Sequence, residues 1–482
     1  MLDFRPILFI VGTLLSTLAV AMCVPAATDL VVGHEDWRAF VISALVTLFF
    51  GVSLILTNRV EPFRISLRQA FVVTSLSWLA LTVFAALPFA FSGLGLSYTD
   101  AFFEAMSGIT TTGSTVITNL GAAPPGLLLW RALLQWMGGI GIIVMAMAIL
   151  PVLQVGGMQL FRLESSDRSD KALPRATQLA AAIGGVYLVL TLICTWLYWL
   201  FGMTGFEAIA HAMTTISTAG FSTADASIGH FNSGPIDVVA TIFMLLGSLP
   251  FVLYLQFVKG NVLALLRDSQ VQWFFAVVAA AILAMFFWLW LRNGLPPGIS
   301  LRYASFNVVS VITGTGYATA DYWLWGTFAV TMFFLLMFTG GCAGSTTCGI
   351  KIFRYQVLYQ TARAQMGRLL QPHGVFVAYY NGRPISEQVQ VSVMAFFFVY
   401  VLSFAVLAMG LGLTGLDFLT CISGAATALA NVGPGLGEQI GPAGNFSQLP
   451  DTAKWLLSAG MLIGRLELFT VLILLVPSFW TD

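Results

Sequence analysis

Four segments of this chain repeat one pattern: Glu104–Ser114 (EAMSGITTTGS), His211–Phe221 (HAMTTISTAGF), Asn307–Tyr317 (NVVSVITGTGY) and Gly424–Pro434 (GAATALANVGP). Aligned on Gly113, Gly220, Gly316 and Gly433, each carries a hydroxyl six residues earlier, at Ser107, Thr214, Ser310 and Thr427. Directly before the glycines stand Thr111 and Thr112, Thr218 and Ala219, Gly314 and Thr315, and Asn431 and Val432; they are small or polar, and none is charged. A cation that sheds its water needs oxygen in return, and extended backbone supplies it through carbonyl groups. Glycine permits the backbone angles, φ > 0 included, that such a strand requires. Four strands around one axis would stack rings of uncharged oxygen, which suits a monovalent cation; divalent-cation filters commonly use carboxylate rings. The third loop, Thr313-Gly314-Thr315-Gly316-Tyr317, comes closest to the TVGYG pattern of potassium channels. One copy alone would read as a glycine-capped helix end. Four copies in matching register favour a pore.

The elements that must position these loops are membrane helices. The chain has 482 residues, 58% of them hydrophobic and 9% charged, with a mean hydropathy of +0.89, far too apolar for a soluble enzyme of this length. Ten spanning segments are expected, at 7–31, 38–57, 70–92, 127–149, 177–201, 235–258, 271–292, 322–350, 391–412 and 453–478. Most approach the roughly 20 residues that cross a hydrocarbon core. The first is too long for a signal-peptide core of about 7–15 residues. Between spans 3–4, 5–6, 7–8 and 9–10 lie apolar stretches such as 98–109, too short to cross, each followed by a glycine loop. Re-entrant segments fit them, because irregular backbone at membrane depth survives only beside protein or a water-filled cavity.

With the N-terminus inside, all lysines and arginines fall on the cytoplasmic side except Arg38, Arg131, Arg292, Arg302, Lys454 and Arg465, the last inside a span. That bias obeys the positive-inside rule and opens all four loops to the outside. The fold expected is an all-α polytopic membrane protein. A two-helix hairpin (1–68) precedes four parallel helix–pore loop–helix units at 69–176, 177–270, 271–390 and 391–482. Parallel units separate the chain from transporters built on inverted repeats.

Two features interrupt the spans. Residues 339–350 (TGGCAGSTTCGI) would break span 8 in its cytoplasmic half. Close packing through small residues is one reading; a flexible loop across the pore beneath the filter is the other, with Gly340, Gly341, Gly344, Ser345, Thr346, Thr347 and Gly349 as its gate residues. Arg465, near mid-membrane in span 10, is expected to face a cavity or a partner. It is read either as a structural residue tied to neighbouring carbonyls or as a fixed charge in the pore. Glu467, two residues on, would not face it. Glu104 and His211 hold matching positions, read as local hydrogen-bonding residues, and Asp100, Glu207 and Asp417, near the outer ends of the short helices, read as helix-start acids or as a mild attractor of cations. The five cysteines have no CxxC spacing and carry no assigned role.

On these residues the chain resembles the Trk/Ktr/HKT superfamily of potassium transporters, and more closely its bacterial TrkH branch. The resemblance spans the hairpin, all four units, the small-residue interruption and the span-10 arginine. It implies that Gly113, Gly220, Gly316 and Gly433 line a potassium filter, that 340–349 form an intramembrane gating loop and that Arg465 opposes cation passage. Plant relatives that carry sodium have serine at the first glycine, so Gly113 favours potassium. The implied transported ion is K+, in the bacterial inner membrane with both termini cytoplasmic. A homodimer is implied too, and a soluble TrkA-type ring of nucleotide-binding regulatory subunits. No GxGxxG or GxxxxGK[ST] occurs, so this chain is expected to bind no nucleotide itself. The basic segments 162–175 and 351–390 are candidate docking surfaces for such a ring, and no nucleic acid is expected as a partner. Rival readings are a sodium-coupled or sodium-permeable Ktr/HKT-type transporter and an intramembrane serine hydrolase. The hydrolase would need a serine and a histidine in contact at depth.

Overall fold

The computed structural model describes residues 2–59, 65–148, 155–157, 172–261 and 263–481, which are mostly helical. The N-terminal hairpin pairs α1 (Arg5–Val32) with α2 (Trp37–Thr57). Small residues let the two backbones meet: a Cβ on Gly12 would stand 2.7 Å from the Gly51 carbonyl oxygen. The buried Asp29 then fastens the hairpin to the first unit. Its Oδ1 accepts the Gly126 N–H at 2.6 Å, one of the donors that the start of a helix leaves without an internal partner.

The first unit comprises α3 (Leu67–Ala85), α4 (Leu87–Phe91), the short helix α5 (Tyr98–Ile109) and α6 (Pro125–Ala148). The second comprises α7 (Ala172–Leu200), the short α8 (Gly205–Ile216), α9 (Gly234–Gly247) and α10 (Phe251–Val258). A single turn, α11 (Ala264–Arg267), leads to the third: α12 (Ser269–Leu291), the short α13 (Pro297–Ile312), α14 (Thr327–Met337) and α15 (Ile352–Leu370). The fourth holds α16 (Glu387–Gly412), the short α17 (Phe418–Ala430), α18 (Asp451–Arg465) and α19 (Phe469–Leu472). Between α15 and α16, Tyr379–Tyr380 (β1) pairs antiparallel with Arg383–Pro384 (β2) around Asn381-Gly382, whose positive φ values suit a two-residue hairpin turn.

Short helices α5, α8 and α17 start on Ser97, Thr204 and Asp417, whose side chains accept the N–H three residues on. Glu207 completes a capping box on α8, and Asp100 pairs with Lys454 at 2.6 Å. The helix-start reading of these acids therefore holds. The all-α membrane fold is found as expected, with span 322–350 present as α14 and the broken segment after it. Among the described residues seven helices are long and apolar enough to cross, or nine if each bent pair counts as one. The expected spans 235–258 and 453–478 bend by 94° and 107°. Pro250, which lacks an N–H, marks the first bend. The second contains no glycine or proline: Glu467 and Leu468 both take positive φ, with the Glu467 carboxylate held by Arg354.

Candidate ion-conducting site

The four short helices end alike. The residue two before each key glycine is left-handed: Thr111 (φ 55°), Thr218 (49°), Gly314 (69°) and Asn431 (51°). The next residue returns its N–H to the carbonyl of the aligned hydroxyl residue: Thr112 to Ser107, Ala219 to Thr214, Thr315 to Ser310 and Val432 to Thr427, all at 2.9–3.1 Å. This is the Schellman closure of a helix C-terminus. The hydroxyl side chains are less uniform: Thr214 bonds back to Ala210 and His211, Ser310 donates to the Tyr317 carbonyl, and those of Ser107 and Thr427 find no partner. A left-handed threonine is strained, of order 1–3 kcal/mol, and two of the four loops hold one. The sequence reading missed this second left-handed position; Gly314 and the tolerant Asn431 were its visible signals.

One residue further on, Gly113, Gly220, Gly316 and Gly433 are again left-handed, at 88°, 78°, 80° and 109°. Alternating the backbone hand in this way turns successive carbonyls toward the same side of a strand. All four glycines line one cavity, and their packing closes a ring. A Cβ on Gly113 would collide with the carbonyl oxygen of Ala219, one on Gly220 with that of Thr315, and one on Gly316 with that of Val432. A Cβ on Gly433 would stand 2.8 Å from the carbonyl oxygen of Thr112. The units therefore follow one another in chain order around the ring, each strand seated where its neighbour has no side chain. The ring is not fourfold in detail: Gln135 donates to the Ala219 carbonyl at 2.8 Å, and Ser114 to the Gly433 carbonyl at 2.7 Å.

Above the ring, each short helix staples the outgoing strand with a buried polar side chain. Glu104 accepts from the Val116 N–H at 2.9 Å and from Arg131 Nε at 2.7 Å. His211 meets Ser222 at 3.0 Å, Asn307 bonds Thr319 Oγ1 at 2.9 Å, and Ser423 accepts the Leu436 N–H at 3.0 Å. Glu104, His211 and Asn307 are aligned, and Ser423 precedes the aligned Gly424. The expectation of local hydrogen bonding is met, and its chemistry varies by unit. The serine–histidine contact that a hydrolase needs does exist in His211 and Ser222. It occupies the place of the Glu104 and Asn307 staples, and the Ser222 hydroxyl also accepts the Ala224 N–H. Arg131, expected at an outer helix end, is instead buried, pairing with Glu104, donating to the Ser222 carbonyl at 2.7 Å and lying over the Phe221 ring.

Beneath the ring, residues 339–351 leave the helix, and Ser345, Thr346 and Thr347 are buried. The segment is bonded into the elbow of the bent span: Cys342 N–H to the Ser248 carbonyl, Thr346 N–H to that of Gly247, and Phe251 N–H to that of Gly344. Gly340 and Gly341 are tight, a Cβ there meeting the Cys348 carbonyl or the Thr347 side chain, whereas Gly344 and Gly349 take positive φ. Thr346 Oγ1 accepts from Thr218 Oγ1 at 3.0 Å, which joins this segment directly to the second loop. Arg465, the last residue of α18, donates to the Thr346 carbonyl (3.2 Å), the Gly138 carbonyl (3.0 Å) and the Cys348 sulfur. Its bonded partners are all uncharged. Cys348, given no role from sequence, thus touches the arginine. Glu467 forms its ion pair with Arg354 and not with Arg465.

That pair corrects one expectation. Arg354 lies in the basic 351–390 segment expected to dock a partner, but it is fully buried, bonded also to the Gly156 carbonyl and set over Phe396. Arg363 and Arg368 are exposed on α15. The other docking segment, 162–175, falls in residues 158–171 outside the described residues and continues into α7.

The Glu104–Arg131 pair generates a stability prediction. Glu104→Gln leaves the buried Arg131 charge uncompensated and should destabilise the fold by about 3–5 kcal/mol. Asn307→Ala, which removes neutral bonds, should cost about 1–3 kcal/mol. Thermal unfolding in detergent reads both; equal midpoints for the two variants would mean that the ion pair contributes nothing beyond a neutral staple.

With this geometry in place, comparison with known proteins is direct. A profile of the family described as TrkH, cation transport protein, matches residues 37–481. The Trk system potassium uptake protein TrkI of Halomonas elongata is 49% identical, the match covering 99% of this chain and 97% of that protein. The Trk system potassium uptake protein TrkH of Escherichia coli K12 is 37% identical over the full length of both chains. The crystal structure of the potassium transporter TrkH from Vibrio parahaemolyticus superposes with a TM-score of 0.93 at 37% identity, covering 99% of this chain and 100% of that one. This chain belongs to the TrkH cation transport family, whose members are multi-pass membrane transporters and not enzymes.

Proposed function

We propose that this chain takes up potassium through the closed ring of four loops, across the bacterial inner membrane with both termini cytoplasmic. The observation that carries the reading is the convergence of Gly113, Gly220, Gly316 and Gly433 on one cavity, each glycine packed against the next strand's carbonyl. Its near full-length relatives are named potassium uptake proteins, which supports the same ion. In this reading residues 111–113, 218–220, 314–316 and 431–433 form the filter, and the hairpin and four units are the organisational blocks. Residues 340–349 with Arg465 form the gate. Arg465 has no carboxylate among its bonded partners, so its charge is available to repel a cation. A unit charge in a narrow, poorly screened cavity repels potassium by several kcal/mol at most, roughly.

Rubidium uptake in a strain lacking its own potassium importers tests the function, and Gly113→Ser tests the filter. The serine places a Cβ on the Ala219 carbonyl at a left-handed position. With strain of about 1–3 kcal/mol, the potassium-over-sodium preference should fall about tenfold or more. Unchanged selectivity in a folded Gly113→Ser protein removes this loop from the filter; sodium-dependent uptake by the wild type would favour the Ktr/HKT-type alternative.

A second experiment separates the charge of Arg465 from its bonds. Arg465→Ala and Arg465→Gln should both raise flux through the resting protein, while Arg465→Lys keeps the charge without the guanidinium geometry and should retain most of the barrier. Equal uptake by all four proteins would leave Arg465 a structural anchor for the segment.

We further propose that a TrkA-type cytosolic ring docks on α15 and the residues after it, and that this chain acts as a homodimer. Supporting this, α15 leads directly out of the 339–351 segment and ends in exposed Leu369 and Leu370, with exposed Val375 beyond. Reversing Arg363 and Arg368 to glutamate should weaken co-purification with the ring and blunt nucleotide-dependent flux. Intact binding and regulation in that double variant would place the docking surface elsewhere.

A further inference from the structure

An open cavity of about 700 Å³ lies at the end of α12 remote from its short helix, bordered by α10, α11, α15 and the β-hairpin. Its volume is that of a small-molecule site, and nothing in the conduction reading uses it. Two features of its lining point to a ligand.

The first is a buried acceptor without a donor. Gln356 on α15 is 4% exposed; its Nε2 donates to the Ser269 carbonyl at 2.8 Å, yet its Oε1 has no partner. The Ser269 hydroxyl, on the same cavity, is also unpartnered. A buried amide oxygen left unsatisfied costs about 1–3 kcal/mol, and a hydroxyl donor from a ligand would remove that cost.

The second is charge. Arg267 and Arg383 both line the cavity, and neither forms a salt bridge among the described residues. Asp268, the carboxylate of the lining, is already engaged: Oδ1 accepts the N–H groups of Gln270 and Val271, and Oδ2 accepts from Asn381 Nδ2. The cavity therefore offers two guanidinium groups to an anion, beside acceptors that need hydroxyls. Val258, Leu263 and Leu266, on α10 and in the residues that follow it, are exposed and offer an apolar surface to an acyl chain.

We propose that this cavity binds a glycerophosphate group, its phosphate on Arg267 and Arg383 and its hydroxyl donated to Gln356 Oε1. The group comes from an anionic glycerol lipid headgroup or from a soluble glycerol phosphate; the chemistry of recognition is shared. Bound there, it braces α15 against the start of α12, and α15 is the helix that leaves the segment beneath the ring. The lipid source rests on the reading of this face as cytoplasmic; the binding itself does not depend on transport.

Native mass spectrometry of the full purified chain tests it, with phosphatidylglycerol, phosphatidic acid, phosphatidylethanolamine and sn-glycerol 1-phosphate as probes. Phosphatidylglycerol should be retained over phosphatidylethanolamine. Arg267→Gln with Arg383→Gln, both exposed positions, should reduce that retention about tenfold or more. Gln356→Met should erase the preference for phosphatidylglycerol over phosphatidic acid, which has no free headgroup hydroxyl. Binding of sn-glycerol 1-phosphate alone, with the same sensitivity to the arginine pair, assigns the site to the soluble source. Equal retention of phosphatidylglycerol by the wild type and the arginine double variant, or of phosphatidylglycerol and phosphatidylethanolamine by the wild type, overturns the proposal. Loss of rubidium uptake with binding intact would bear on conduction and leave this site standing.

Discussion

Each of four glycines leaves a space where the carbonyl oxygen of the neighbouring strand stands, and the centre of the molecule closes on that contact. Gly113 receives Ala219, Gly220 receives Thr315, Gly316 receives Val432 and Gly433 receives Thr112. A Cβ at any of the four positions would push two strands apart and, because the ring is closed, disturb the rest. The surrounding helices can be understood as devices for holding these strands at that distance. The Schellman endings deliver each chain to the ring in one conformation, and the two left-handed residues per loop set the direction of its carbonyls.

Because the four units belong to one chain, they need not be alike away from the ring. The staples above it use a carboxylate, an imidazole, an amide and a hydroxyl for the same task. Neighbouring units are joined by different bonds: Arg131 to the Ser222 carbonyl between the first and second, Arg302 to Asp237 between the second and third, and Lys454 to Asp100 between the fourth and first. These groups are largely buried and partnered, as polar groups at membrane depth must be. The resulting inequality reaches the ring itself, where the Ala219 and Gly433 carbonyls each accept a side-chain donor.

Below the ring the second helices of three units break, and the breaks leave backbone polar groups that bond to one another. The carbonyls of Gly247 and Ser248 receive the N–H groups of the 339–351 segment, and Arg465 at the end of α18 takes up the carbonyls of Thr346 and Gly138. A continuous run of contacts follows from α15 through Lys351 and Thr347 to Thr346, and from Thr346 to Thr218 in the second loop. Arg354 and Glu467 tie the base of this run to the bend in the last span. A bonded path thus runs from the start of α15 to the ring.

Repetition and hydropathy were enough to read the membrane fold, the fourfold pattern and the glycines from the sequence, because those properties are local: period, length and residue type survive without coordinates. The breaking of 339–350 was legible for the same reason, since glycine and serine weaken helices wherever they stand. Tertiary structure alone decided the rest. The bend at Glu467 and Leu468 has no glycine or proline to announce it and rests beside an ion pair with a residue more than a hundred positions away. Arg131 and Arg354 look in sequence like ordinary boundary charges, and only packing reveals that each is buried on a carboxylate. Which carbonyl fills the space beside which glycine is likewise a relation between units distant in the chain, fixed when the helices pack and the ring closes.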